Sequence, residues 1–529
     1  VGFDAGNDLT TGTQNTIIGS YAGDALTGAG FSGATRGAGA DYNTAVGYAA
    51  LSYENLGNRS TALGYFALNV QRNNSATDTN NTAVGFKAGA CVTTGLQNTL
   101  IGSDSGASLT TGQYNVALGT CALYSMISNS YNTAVGAFAL RCTTGCNNTA
   151  LGAYAGYQTG AGVNNVFIGE ESAASNTSGS FNTAVGRLAL YRNSTGCYNT
   201  AVGLEALGQS SGAALTGHEN TAIGQSSSRA MTTGICNASF GSAALITATT
   251  ANDNVAIGAG ALRGVTSGAA NVGVGQLAGC AISTGTQNIA IGQVAARCLT
   301  TGDFNVFIGQ AAGCQATLGD NGTMIGNLAG KASSGGNNTF IGALSGYEMT
   351  TGGNNTFLGR WSGCQNGLDL RTASNNIVFS DGAGCPRLYI DSGGDIRHFD
   401  SGGTERILLD KSANILGNTG TNLTGVTISS SSDVEVGRQV TGGFGAHTTA
   451  GTTDWNHSTN ARPGMGYTLL LGTATNGPGG AHYYHPVSYE YQTKNGTGNL
   501  IQFAYGYNIN RQWQRIRLSG TWGSWSAVL

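Results

Sequence analysis

The chain has 529 residues, 87 of them glycine, and only 9% are charged, with 23 Lys and Arg against 26 Asp and Glu for a net charge of −3. Charge this sparse and balanced, with no basic tract, excludes the electrostatic footprint of a nucleic-acid partner, and four prolines among so many glycines exclude collagen. No run of about 18 apolar residues marks a transmembrane helix, so no membrane insertion is expected.

The chain opens in mid-phrase at VGFDAG without an initiator Met, so a missing N-terminal part is expected to carry any attachment. Residues 1–384 then repeat one phrase: YNTAVGYAAL at 42–51, YNTAVGAFAL at 131–140, YNTAVGLEAL at 198–207. Anchored on the glycine of NTAVG, the ruler runs from Gly2 through Gly47, Gly136 and Gly258 to Gly359, mostly in steps of 17 residues, and a last unit has Ser380 in the glycine slot. That makes 22 units. A fixed period of this size is the mark of a solenoid, whose units cannot bury a face alone and must stack. At about 4.8 Å per parallel strand the stack would reach roughly 105 Å.

Each slot has a physical reading. Asn stands four residues before the glycine in nearly every unit, with Ser60 and Gly322 as exceptions, and is expected to turn the chain and ladder its amide from coil to coil. Thr or Val, then a variable apolar residue, then Val, Ile or Leu make a short strand. Three residues after the glycine stands Ala or Ser in every unit, from Ala5 to Ala383, which marks close backbone approach. Paired apolar residues such as Ala45–Val46 and Phe167–Ile168 would point to opposite faces, so one face faces the coil and the other needs a cover. Another copy of the chain in a closed homotrimer is the economical cover. Extra residues at Asp24–Tyr42, Asn69–Asn80 and Gly208–Glu219 are expected as loops on one edge.

Eleven cysteines, an odd count without CxxC spacing, argue against a disulfide framework or a zinc site. Cys280, Cys298 and Cys314 fall in successive coils, where small buried apolar residues are the plain reading. No cofactor and no metal is expected.

Residues 385–440 read as a β-rich collar and linker, with two DSGG turns and a Gly/Ser/Thr-rich passage at Asn418–Ser432. Residues 441–529 hold four of the five tryptophans and strand-like runs at Tyr467–Thr475, Val487–Thr493, Leu500–Ile509 and Gln512–Leu518. Alternation puts Ile501, Phe503, Tyr505 and Tyr507 on one face of a small antiparallel knob. The expected class is therefore all-β: an elongated parallel β-solenoid of 17-residue coils, as an intertwined homotrimer, followed by that knob.

The phrase NTAVGxxA resembles the head repeats of trimeric autotransporter adhesins, and more closely the repeat shafts of phage tail fibres; the adhesin unit is shorter. NNIVFSDGAG (Asn375–Gly384) resembles the point where such shafts hand over to a distal region. NRQWQRIRLSGTWGSWSAVL (Asn510–Leu529) resembles the C-terminal knob of phage and pyocin tail fibres through Arg511, Arg515, Gly520, Thr521, Trp522, Ser524 and Trp525. The resemblance implies a homotrimeric, extracellular fibre of the virion. Its knob would bind host surface polysaccharide or an outer-membrane protein, and its missing N-terminal part would join other tail proteins.

Aromatic residues suit that work because they join a flat apolar face to a polar handle. The candidate receptor residues are Trp455, His482, Tyr483, Tyr484, His485, Tyr489, Tyr491, Trp513, Trp522 and Trp525, with core packing as the competing role for each. His482 and His485 lack the HxH spacing of fibre-tip metal sites. Three other classes fit less well. A bacterial adhesin would add a heptad stalk and a barrel anchor. A polysaccharide-cleaving tailspike would need a placed carboxylate pair, and Asp454 and Glu490 stand in no signature. An ice-binding solenoid would need an unbroken Thr column, and Val116, Val166, Val255 and Val306 interrupt it. No catalytic residues are assigned.

Overall fold

A computed structural model describes residues 1–9, 12–26, 40–73, 75–208, 212–317, 319–409, 415–417, 464–465, 470–471, 478, 483–490, 499–506 and 510–528, and gives the backbone alone for 415–417, 464–465, 470–471 and 483–490. Among these residues every regular element is a β-strand. The chain forms two compact units, Val1–Thr421 and Asn422–Leu529.

The first unit is built on a 25-stranded sheet whose last four strands are antiparallel, which leaves 21 parallel strands from Thr16–Ile18 to Ile377–Ser380. Each parallel strand is one TAV-type triplet and pairs in register with the same triplet of the next coil, as in Val255↔Val272 and Val272↔Ile289. Longer steps do not disturb this. Thr16 still faces Thr44 across a step of 28 residues, and Thr200 faces Thr221 across one of 21. Part of each insertion lies outside the described residues, the stretch 27–39 among them.

The ruler glycine is required twice over. Gly47, Gly136 and Gly258 sit at φ +133, +133 and +128, a region L side chains avoid. A Cβ on Gly258 would also lie 2.7 Å from the carbonyl carbon and oxygen of Gly275, the same slot one coil on.

The Asn slot forms the expected ladder, buried from Asn43 onward. The Asn81 Oδ1 accepts from the backbone N–H of Asn98 at 2.9 Å and from its Nδ2 at 3.2 Å, while that Nδ2 also donates to the carbonyl of Gly112 at 2.9 Å. The same pattern joins Asn254 to Asn271. Every lone pair and proton is used, as burial demands. Where Ser60 breaks the ladder, the amide of buried Gln71 takes its place: Nε2 donates to the Ser60 hydroxyl at 2.9 Å and Oε1 accepts from Asn81 at 2.8 Å. The Gln71 amide also donates to buried Glu54 at 2.7 Å, whose carboxylate collects further bonds from Gly57 and Asn73.

Core volume is shared between two slots. In several coils whose strand centre is Ala, such as Ala45 and Ala134, the fourth residue after the glycine is a buried Leu, Leu51 and Leu140, whereas Ala83 and Ala150 are matched by Gly89 and Gly156. Where the centre is large, as at Leu100, Phe307 and Phe340, that slot is Gly106, Gly313 or Gly346, and a Cβ there would lie within 2.8 Å of the large side chain. Close packing keeps the interior filled, and where both slots are small, as at Ala83 and Gly89, side chains of adjacent coils take the space: a Cβ on Gly89 would lie 2.7 Å from Leu100 and 3.0 Å from Leu68.

The outer face of the strands is different. The residue before each glycine is half-exposed along the shaft: Ile18 48%, Leu63 44%, Leu118 43%, Leu151 48%, Ile257 43%. It forms a lengthwise apolar stripe, flanked two residues earlier by a column of Thr broken by Val and Ile. The cysteines are not a buried column. Cys314 is buried, Cys91 and Cys236 are exposed, and the rest lie between.

A repeated turn joins the last parallel strand and the first three antiparallel strands in succession, and the sequence holds three copies of it rather than two. In each, one Asp oxygen accepts backbone N–H groups two and four residues on, and the other accepts from an Arg six residues on: Asp381 with Arg387, Asp391 with Arg397, Asp400 with Arg406. The N–H of Cys385, and then the Arg387 guanidinium, hold the Asp381 carboxyl below its usual range; the N–H of Thr404 and Arg406 do the same for Asp400. A lowered folded pKa gives stability that is present above the ordinary carboxylate range and lost as pH falls through the lowered value. Thermal melts of this segment are therefore expected to be flat from pH 7 down to about 4 and to weaken below it, and Asp381→Asn should reduce that acid-side slope.

Candidate functional site

The second unit contains an antiparallel sheet centred on Tyr483–Glu490, Leu500–Gly506 and Gln512–Leu518, with Thr521–Trp522 and Ser526–Val528 at its edge. The strand expected at Val487–Thr493 runs earlier, and Leu470–Leu471 is the described part of the run expected at Tyr467–Thr475. A two-residue turn at Ser519 and Gly520, with φ of +46 and +83, sends the chain back on itself. Positive φ at both positions is the hairpin geometry that follows strand twist.

Register sorts the side chains. Gln502 faces Arg515, Ala504 faces Trp513 and Leu500 faces Arg517, so these six share one side. That side is the buried one: Leu500, Gln502, Ala504 and Arg515 are buried, while Ile501 and Phe503 are half-buried and Tyr505 and Ile516 exposed. The aromatic face predicted by alternation is thus the outer face. Tyr507 lies outside the described residues.

At the centre of the inner side is Arg515, 4% exposed. Its Nε and Nη2 donate to the Gln502 Oε1 at 2.9 and 2.7 Å. Trp522 and Trp525 flank its guanidinium, with centroids 4.1 and 4.5 Å away. Arg517 reaches the Trp522 ring as well, at 5.8 Å. A guanidinium between two indoles gains cation–π attraction and fixes both ring planes without a flexible stem. Beside this cluster is an open cleft of about 490 Å³, lined by Leu518, Thr521, Trp522, Ser524 and Ser526 among others. An ordered indole edged by hydroxyls suits a ligand with apolar faces and hydroxyl rims.

Of the ten candidate residues, the structure brings Trp522 and Trp525 together around Arg515 and places Trp513, half-buried, on the same side of the same strand. Tyr483, Tyr484, His485 and Tyr489 lie on the strand opposite Leu500–Gly506, with Tyr484 facing Gly506, His485 facing Tyr505 and Tyr489 facing Ile501. Trp455, His482 and Tyr491 lie outside the described residues, as does Asp454. The organising residue, Arg515, was not among the candidates. The readable signal was WxRxR followed by GTWxxW, which puts an Arg on the Trp513 side of a strand that turns straight back. No family model, curated protein or solved structure matches the chain.

Proposed function

We propose that the chain is the shaft and knob of a phage tail fibre that works as a homotrimer outside the host cell and adsorbs to its surface polysaccharide. The observation that carries this reading is the apolar stripe, continuous over the parallel ladder. Two columns about 7 Å apart along a ladder of about 100 Å expose roughly 700 Å² before flanking residues are counted. That is close to the area of about 800 Å² per partner of a stable interface. A monomer rarely exposes so long an apolar face, and copies turned about one axis would cover it in all coils at once. The reading is also supported by the resemblance of the repeat phrase and of the C-terminal twenty residues to tail-fibre shafts and knobs.

The ordered Trp522 beside a hydroxyl-lined cleft favours a sugar over an apolar protein patch. Three copies of one weak site add avidity without new contacts. Immobilised bacterial capsular and lipopolysaccharide glycans, probed with the full chain, should retain it, and Trp522→Ala should weaken retention about tenfold, the loss of about 1.4 kcal/mol of stacking. Retention that Trp522→Ala leaves unchanged would move the site elsewhere, and release of reducing sugar would make the chain an enzyme instead.

A further inference from the structure

Between His218 and Ala332 the chain has eight charged side chains, and all eight stand in two slots of the repeat. The four bases, Arg229, Arg263, Arg297 and Lys331, are each five residues after a ruler glycine. The four acids, Glu219, Asp253, Asp303 and Asp320, are five or six residues before one. One column is purely basic, the other purely acidic. The acidic column precedes the strand triplet and the basic column follows it, so the apolar stripe lies between them.

The heights match too. Glu219 and Arg229 belong to the coil of Gly224, Asp253 and Arg263 to that of Gly258, and Asp320 and Lys331 to that of Gly326. Asp303 and Arg297 are in adjacent coils, about 4.8 Å apart in height. Within one chain the columns do not meet. Arg229 pairs with Glu205 at 3.2 Å, and Arg263, Arg297, Lys331, Asp253, Asp303 and Asp320 form no ion pair among the described residues. Arg263, Arg297, Asp253 and Asp320 are all exposed.

We infer that these columns are the two halves of a heterologous contact between copies of this chain, the basic column of one against the acidic column of the next, which holds the copies parallel and at equal height. The inference rests on the homo-oligomer proposed above and adds which edges meet. The stripe alone cannot set the axial register, because a slide by one coil puts aliphatic residues against aliphatic residues again. Charges can: a slide by one coil separates the Asp253–Arg263 and Asp320–Lys331 pairs. A heterologous contact closes into a ring when the rotation fits, and charge juxtaposition favours partner choice and register more than raw affinity. Two columns of opposite sign at matched heights fit a second copy better than an external polyanion, which would need the basic column alone.

The test uses the full chain at low salt, with association followed by sedimentation and by the urea midpoint of dissociation. Arg263→Glu with Lys331→Glu, and separately Asp253→Lys with Asp320→Lys, should each raise the dissociation constant about tenfold or more. The fourfold variant carrying both changes restores opposite signs and should return to the wild-type value, which mere damage to the coil would not do. Single-column variants that associate like wild type, or a fourfold variant no better than they are, would overturn the pairing while leaving the oligomer intact. A wild-type chain that sediments as a monomer would remove the oligomer and the pairing together. Association left unchanged in Arg263→Glu with Lys331→Glu, but with loss of retention on dextran sulfate, would assign the basic column to a polyanion.

Discussion

Gly258→Ala is expected to destabilise the shaft by more than about 3 kcal/mol, although it adds one methyl group. The residue sits at φ +128, where a side chain costs about 1–3 kcal/mol of backbone strain. The new Cβ would also lie 2.7 Å from backbone atoms of Gly275, and no rotamer change can move them. Relief requires the coils to part. That lengthens the ladder bonds from the Gly258 N–H to Phe240 and from the Gly275 N–H to Ile257, both 2.7 Å. Because each coil contacts mainly its neighbours, the damage is expected to spread as a local opening around 241–292 rather than as uniform loosening. Gly382→Ala is the control, since nothing lies within 4 Å of a Cβ there, and it should change stability by less than about 0.5 kcal/mol. Thermal unfolding with hydrogen exchange distinguishes the two. Equal stability of the two variants would mean that the ruler glycine is not what sets coil spacing.

The second large effect is expected from the outer face. Ile257 and Ile291 are 43% and 36% exposed, and no other part of the same coil covers them. Ile257→Lys with Ile291→Lys should leave the melting of the isolated coil almost unchanged, because a half-exposed Lys can reach water. In an assembly built on the stripe the same pair would bury like charges from every copy at one height. That costs several kcal/mol unless the charges are solvated, so the expected outcome is dissociation at micromolar concentration. The stripe thus separates fold from the proposed assembly: the inner residue of each triplet, Ala256 or Phe307, is buried in the coil, and the outer one is left free for a partner copy to cover.

Much of the shaft was legible in the sequence. The ruler glycine, the Asn ladder and the small third slot each stand for one contact with the next coil, and such a contact repeats at one period. The triplets Thr44–Val46 and Val255–Ile257 are strands where the phrase places them. What escaped was compensation between slots. The exchange of Ala45 and Leu51 for Leu100 and Gly106 makes room for the larger strand centre, which shows only when two columns are read against each other. Tyr114 and Phe181 adopt φ of +59, as Gln97, Asn164 and Asp253 do at +57, +57 and +58 in the same slot of their coils, because the demand of the corner overrides the preference of bulky residues for negative φ. Gln71 replaces a missing Asn from eleven residues away, a distance no local rule spans.

In the knob, alternation found the two faces of Leu500–Gly506 but not which one is inside. Hydrophobicity favoured the face of Ile501, Phe503 and Tyr505. The buried side instead has Gln502 and Arg515, which are hydrogen-bonded to each other, with the Arg515 guanidinium against the Trp522 and Trp525 rings. A polar pair that is hydrogen-bonded and flanked by rings is no burden in a core, and only the register makes the pairing visible.

In the proposed fibre, copies of the chain cover the stripe. Sedimentation equilibrium of the full chain, at neutral pH and low micromolar concentration, measures this directly. A mass of three times the 53.4 kDa chain is the result expected, and a single 53.4 kDa species that keeps its β-rich spectrum at every concentration would contradict it.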